Sequence, residues 1–124
     1  MNMIKTHKDL VVYQMAFETA ITIYELTKSF PREEIYSLTD QIRRSSRSVC
    51  ANLSEAYRKR IYPKYFVAKL NDCISEAAET QTWLDFALEL NYIDTSNHKN
   101  LYKSYDNIIG KLVNMSRKPE KWSF

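Results

Sequence analysis

The sequence predicts an all-α protein, an up-down-up-down antiparallel four-helix bundle. Its 124 residues include one glycine and three prolines, which leaves little turn material for a multi-stranded sheet. Apolar residues recur at three- and four-residue steps through four successive segments. Four amphipathic helices joined by short connections bury their apolar sides most simply in one bundle, so residues 1–124 are predicted to form a single domain.

The first helix is predicted over residues 8–29, and it is apolar on two sides. The predicted core stripe consists of Leu10, Tyr13, Phe17, Ala20, Ile21 and Tyr24. The opposite line consists of Val12, Ala16, Ile23 and Leu26. A helix that is apolar on two sides must be covered on both. We therefore expect the second line to contact a partner subunit.

The second helix is predicted over residues 37–60. Pro31 interrupts the preceding pattern, and Ser37-Leu-Thr-Asp40 has the Ser-x-x-acid form of an N-terminal cap. Its predicted inward side is Ile35, Leu38, Ile42, Val49, Leu53 and Ala56, with Tyr57 at the margin.

Two further helices follow, over residues 63–90 and 94–117. Pro63 suits a first helical position and Asp94 suits an N-cap. The predicted core of the third helix is Phe66, Leu70, Cys73, Ala77, Leu84 and Leu88, and its flanking line is Tyr65, Trp83, Ala87 and Leu90. Tyr65 and Trp83 are further candidates for an oligomer interface. The predicted core of the fourth helix is Leu101, Tyr105, Ile108, Leu112 and Met115. Residues 118–124 form a tail, in which we expect Trp122 and Phe124 to dock.

Positive charge is concentrated on the second helix, although the net charge is only +3. Arg43, Arg47 and Arg58 lie within about 60° of each other around that helix. The predicted nucleic-acid-binding residues are Arg43, Arg44, Arg47, Arg58, Lys59, Arg60 and Lys64, whose cations could neutralise phosphates. Alternatively, the arginines pair with an acidic face on the third helix, formed by Asp72, Glu76 and Glu79. Tyr57, Tyr62 and Tyr65 either stack on bases or serve capping and interface roles.

Signals for catalysis, metals and cofactors are lacking, and we expect none of the three. His7 and His98 have no glutamate three positions earlier, unlike the Glu-x-x-His pairs of di-iron bundles. Ser45, Ser46 and Ser48 have no neighbouring base, and the lone Gly110 excludes a phosphate-binding glycine loop. Cys50 and Cys73 are predicted to be buried free thiols. Without a secretory signal or membrane span, a cytoplasmic location is expected.

Several segments carry a family resemblance. They are Phe30-Pro31, Tyr36 to Arg44, Ser48-Val49, Ala51 to Glu55, the third-helix residues Phe66, Leu70, Ser75, Glu76, Glu79-Thr80 and Trp83-Leu84, and Asn91-Tyr92-Ile93. In these residues the chain resembles the bacterial 23S rRNA intervening-sequence proteins, also described as S23 ribosomal protein-like. Cys50 stands where that family usually has proline, and Ala56 where it often has glycine. Both differences favour a continuous second helix.

The resemblance implies a four-helix bundle that assembles into a homopentameric ring. A similar pentameric bundle serves diversity-generating retroelements as an accessory nucleic-acid-binding protein. The expected function is thus non-enzymatic binding of rRNA or another nucleic acid through a basic surface of an oligomer. The alternative is a structural or protein-interaction homo-oligomer without a nucleic-acid ligand.

Overall fold

The computed structural model describes residues 3–122, which form four long helices and no strand. They are α1 (Val11–Thr27), α2 (Leu38–Arg58), α3 (Pro63–Glu89) and α4 (Thr95–Arg117). Short 3-10 turns cover His7–Asp9, Arg32–Glu34 and Pro119–Lys121. The predicted all-α four-helix bundle is confirmed. Within the described part of the chain, no helix has the length and apolarity needed to cross a membrane.

Each helix packs against the next one in sequence, and α1 closes the bundle against α4. Contacts between α2 and α3 run in opposite directions along the chain: Ser45 meets Thr80, whereas Glu55 meets Lys69. Gln81 and Asp85 of α3 meet Asp106 and His98 of α4 in the same reversed order. These pairings confirm antiparallel neighbours around a four-cornered cross-section.

The start of α2 differs from the predicted Ser-x-x-acid cap. The Ser37 side chain makes no capping bond and instead donates to the carboxylate of Glu34. Glu34 itself accepts the backbone N–H of Leu38 at 3.2 Å and the hydroxyl of Tyr92 at 2.8 Å. The bond from Ser37, then those from Tyr92 and Leu38, hold the pKa of Glu34 below its usual value. The 3-10 turn before the helix allows this, because it brings the carboxylate over the first turn of α2.

The other helix ends follow local chemistry. Pro63 occupies the first turn of α3, and the carboxylate of Asp94 accepts the N–H of Asn97 at 2.7 Å, as predicted. Asn91 ends α3 in the left-handed region with φ of 62°. Its N–H and that of Tyr92 donate to Leu88 and Ala87 carbonyls, which is a Schellman closure. α2 runs without interruption through Cys50 and Ala56, as their identities predicted.

The predicted orientation of α1 was wrong. Val12, Ala16 and Ile23 are buried in the bundle core, together with Thr19 and Thr27. Leu26 is partly buried and packs against the same core. These four apolar residues were predicted to contact a partner subunit, but they pack in the core of their own chain. This face of α1 packs against α2 and α4.

The large residues of the predicted α1 stripe lie on its outer side. Phe17 and Ile21 are each 50% exposed and Tyr24 is 37% exposed. Tyr13 and Ala20 are half-buried, and Leu10 is buried just before the helix. The outer side of α1 is thus the apolar surface that remains uncovered.

The predicted cores of the other helices are largely confirmed. All five α4 residues are buried, as are the predicted α2 residues apart from Ile35, which is half-exposed on the turn before the helix. In α3, Leu88 is only partly buried, Ala87 is buried and Leu90 is exposed. Trp122 packs against the core as predicted, whereas Phe124 lies outside the described residues.

Candidate nucleic-acid interface

The outer side of α2 presents three exposed arginines: Arg44, Arg47 and Arg58. The first two line a shallow groove of about 400 Å³ along the helix, together with Asp40. At the far end, Arg58 and Lys59 line a second depression of about 380 Å³. We define the basic surface as the five exposed cations of this region: Arg44, Arg47, Arg58, Lys59 and Lys64.

Arg43 is engaged between α1 and α2 and differs from its neighbours. Its Nε donates to Thr27 Oγ1 at 2.8 Å, and its guanidinium carbon lies 4.6 Å from the centre of the Tyr24 ring. The side chain is half-buried. A guanidinium that bonds a hydroxyl and covers an aromatic face joins the two helices.

Arg60 is also engaged within the chain. Its guanidinium lies 4.0 Å from the Tyr57 ring centre, and Nη1 donates to the Tyr57 carbonyl at 2.9 Å. Lys59 lies over the exposed ring of Tyr65 at 5.9 Å. Tyr57 is fully buried and its ring has no face open to a base, whereas Tyr62 and Tyr65 are exposed.

Asp72 of α3 pairs with a lysine rather than with an arginine of α2. Lys69 binds Glu55 of α2 at 2.8 Å and Asp72 of its own helix at 3.8 Å. Among the salt bridges of residues 3–122, none joins Arg43, Arg47 or Arg58 to Asp72, Glu76 or Glu79. The i, i+3 spacing of Lys69 and Asp72 indicates this salt bridge in the sequence. The sequence analysis missed it because it considered only the arginines of α2 as partners for Asp72.

The charge of Glu76 is only partly compensated. Burial first, and then the negative charge of Glu79, raise the pKa of Glu76, while Ser48 and the positive charge of Arg44 act in the opposite direction. Glu76 and Glu79 therefore lie close enough to repel each other on this side of α3.

A groove between α1 and α2 was missed by the sequence analysis. It has a volume of about 560 Å³ and is lined by Tyr13, Phe17, Ala20, Ile21 and Tyr24 from α1, and by Arg47, Cys50, Ala51 and Ser54 from α2. Arg47 lies 5.7 Å from the Tyr24 ring centre. We call this feature the α1–α2 groove. It was missed because its aromatic residues had been assigned to the core.

Cys50 forms part of the groove floor, and both cysteines are buried free thiols as predicted. Burial raises the pKa of Cys50 to about 11 and that of Cys73 to about 12. At neutral pH both thiols are protonated, and therefore weak nucleophiles.

The other candidate groups serve structure. Ser45 is buried and accepts a hydrogen bond from Thr80 at 2.8 Å, and His98 Nε2 lies 2.8 Å from Asp85 Oδ1. Of the predicted interface residues, Tyr65 is exposed, and Trp83 is half-buried with its ring 5.9 Å from that of Phe86. Residues 3–122 contain no group of three or more His, Cys, Asp or Glu side chains placed to hold a metal ion.

Comparisons with known proteins agree with this fold. The chain is similar to a crystal structure of a protein with unknown function from the S23 ribosomal protein family of Bacteroides thetaiotaomicron, with 29% identity and a TM-score of 0.79. The similarity covers 86% of this chain and 96% of that one. Among curated proteins, none matches this chain.

The family model of the 23S rRNA-intervening sequence proteins matches residues 8–114. This range includes all of α1, α2 and α3, the basic surface, and most of α4. The chain therefore belongs to the 23S rRNA-intervening sequence protein family.

Proposed function

We propose that this protein is a non-enzymatic homo-oligomer, a pentamer by family resemblance, that binds rRNA or another nucleic acid through its basic surface. The observation that carries the proposal is the outer side of α2. There, Arg44, Arg47 and Arg58 are exposed, and none of them takes part in a salt bridge within residues 3–122, although the Arg44 charge also acts on Glu76. Exposed cations that track one helix provide the charge that phosphates need.

Two cations of the predicted set have a different role in this proposal. Arg43 joins α2 to α1, and Arg60 bonds the carbonyl of Tyr57 in the last turn of α2. These two residues therefore position the basic surface rather than extend it. Lys59 and Lys64 extend it toward Tyr62 and Tyr65, whose exposed rings can stack on unpaired bases. This combination favours single-stranded or looped RNA over a regular duplex.

The proposal includes no catalytic step. The serine and histidine that a hydrolytic site would use are engaged in helix packing: Ser45 with Thr80 and His98 with Asp85. The two thiols are free, as expected in the reducing cytoplasm, which we propose as the protein's location.

A second candidate is a structural or protein-interaction homo-oligomer without a nucleic-acid ligand. The α1–α2 groove favours it, since Phe17 and Ile21 expose apolar surface of the kind that proteins cover by association. The two candidates share the oligomer and differ in the ligand, so a binding titration separates them.

The titration uses an RNA hairpin with a single-stranded loop, unstructured single-stranded RNA and duplex DNA between about 50 mM and 200 mM salt. The test variant combines Arg44→Glu with Arg58→Glu, and the matched control combines Lys103→Glu with Lys111→Glu on α4. We expect the wild type to bind the looped RNA with a steep salt dependence. The test variant should lose about 0.7 from the slope of log affinity against log salt for each contact removed.

The control variant should retain wild-type binding. Its change in net charge equals that of the test variant, but its substitutions lie on α4, outside the basic surface. Negligible binding by the wild type to all three probes would overturn the nucleic-acid proposal and leave the structural candidate. Equal losses in both variants would mean that net charge, rather than the basic surface, drives binding.

A further inference from the structure

Two surfaces on either side of α2 combine exposed apolar residues with a charged residue, and the two charges have opposite signs. The first is the α1–α2 groove, where Phe17, Ile21 and Tyr24 accompany Arg47. The second lies on α3 and consists of Glu79, Trp83, Phe86 and Leu90, which we call the α3 edge. Its members are spaced by four, three and four residues, so they share one side of the helix.

The α3 edge is as exposed as the groove. Phe86 is 52% exposed and Leu90 is 47% exposed, and the Trp83 ring supports that of Phe86 at 5.9 Å. Exposed large apolar residues grouped on one helix side mark an interaction surface rather than ordinary surface variation.

The charges beside these surfaces are complementary. Arg47 stands at the groove and Glu79 at the α3 edge, and neither takes part in a salt bridge within the described chain. Glu79 lies close to the like charge of Glu76: after burial, it is the second cause that raises the pKa of Glu76, and the Arg44 charge opposes it. A positive group from another copy would offset the repulsion between Glu79 and Glu76.

We propose that the α3 edge of one copy docks into the α1–α2 groove of the next copy, with Phe86 entering the groove and Glu79 facing Arg47. The contact is heterologous, because it joins two different surfaces of the same chain. It rests on the self-association contained in the proposed function, and it names the surfaces through which that association occurs.

The placement of the two surfaces allows a closed ring. In a four-cornered bundle the groove and the α3 edge flank one corner, α2, so they face directions roughly 90° apart. A head-to-tail ring needs about 90° between its two contact directions for four copies and about 108° for five. α2 then faces the ring axis. Arg47 is paired with Glu79 between copies, and the other four residues of the basic surface remain open to phosphates.

The test is the mass of the nuclease-treated protein in solution, measured by light scattering or native mass spectrometry. Arg47→Glu and Glu79→Arg are made singly and together in one chain. Lys103→Glu on α4 is the charge-matched control, and Phe86→Ser is compared with Val11→Ser, an exposed apolar residue outside both surfaces. Circular dichroism checks that each variant is folded.

We expect wild-type assemblies of more than two copies. Each single reversal should weaken association at least tenfold, because two like charges then meet. The double variant should restore the wild-type mass, since the pair is rebuilt in the opposite sense. Phe86→Ser should dissociate the assembly, whereas Lys103→Glu and Val11→Ser should leave it intact.

A monomeric wild type, a dimer, unchanged mass in the single reversals, or no recovery in the folded double variant would each overturn the proposal. A dimer would mean an isologous contact, and assembly only after RNA is added back would mean that RNA, rather than this contact, joins the copies. RNA binding measured on Glu79→Arg, which keeps the whole basic surface, separates this outcome from failure of the proposed function.

Discussion

The inner and outer faces of α1 are similarly apolar in sequence, but the inner face is buried and the outer face is exposed. Ile23 is fully buried and Ile21, two residues earlier, is 50% exposed. The inner face carries Ala16 and Thr19, which allow close helix packing, and the outer face carries the bulky Phe17 and Tyr24. The difference teaches that hydrophobicity located the helix but did not select the face that the bundle encloses.

The same contrast extends to the whole molecule. The side around α2 exposes apolar residues on α1, on α3 and in the flanking turns, beside five exposed cations. The opposite side, formed by α4, has exposed cations such as Lys99, Lys103 and Lys111. Within residues 3–122, however, none of the exposed large apolar side chains belongs to α4. Positive charge alone therefore does not distinguish the two sides, and its combination with uncovered apolar surface does.

The largest expected effect comes from the two isoleucines of α1. Ile23→Ala should lower the free energy of unfolding by about 2–5 kcal/mol, because it leaves a cavity in the core. Ile21→Ala should change it by no more than about 0.5 kcal/mol in the monomer. Urea denaturation at two protein concentrations measures both, and a loss for Ile21→Ala that grows with concentration would locate its role between copies.

Arg43 and Arg47 of α2 are expected to differ in their contribution to stability, by less than the two isoleucines do. Arg43→Gln should cost about 1.5 kcal/mol of stability, because the bond to Thr27 and the contact with the Tyr24 ring are both lost. Arg47→Gln, one turn away and exposed, should cost less than about 0.5 kcal/mol in the monomer, at protein concentrations too low for association. Equal costs in thermal or urea unfolding would contradict the assignment of Arg43 to helix packing.

The smallest effect is expected at the α2 cap and depends on pH. The pKa of Glu34 is lowered in the folded state, so its stabilising contribution is present above the unfolded glutamate pKa of about 4.3 and is lost as pH falls through the folded value. Glu34→Gln should therefore cost about 1 kcal/mol at neutral pH and progressively less below about pH 4. Unfolding curves across this range, with Glu33→Gln as the exposed neighbouring control, measure the difference; a constant cost at all pH values would exclude the charge as its source.

Where polar and apolar sides contrast strongly, the sequence was sufficient to predict the fold. α2 and α4 have charged outer sides, and their buried apolar residues were all predicted, whereas the buried Thr39, Ser45 and Ser46 of α2 were not. In α1 both sides are apolar, and periodicity cannot select between them. The cap at Glu34 also required the folded chain, since it depends on a 3-10 turn and on Tyr92, 58 residues away.

The candidate site was predicted in part for the same reason. The exposure of Arg44, Arg47 and Arg58 follows from the pattern of α2 alone. The engagement of Arg43 depends on Tyr24 pointing outward, so the wrong orientation of α1 concealed both that contact and the α1–α2 groove. Pairing of Lys69 with Glu55 likewise depends on the register between α2 and α3.

The central claim is that nucleic acid lies along the α2 side and not along the α4 side, which also carries exposed cations. Photo-crosslinking to a looped RNA, followed by mass spectrometry of the modified peptides, tests this most directly. The account predicts adducts in residues 44–65, which contain the basic surface and the exposed rings of Tyr62 and Tyr65. Adducts concentrated in residues 99–111 of α4, or spread evenly over both sides, would contradict it.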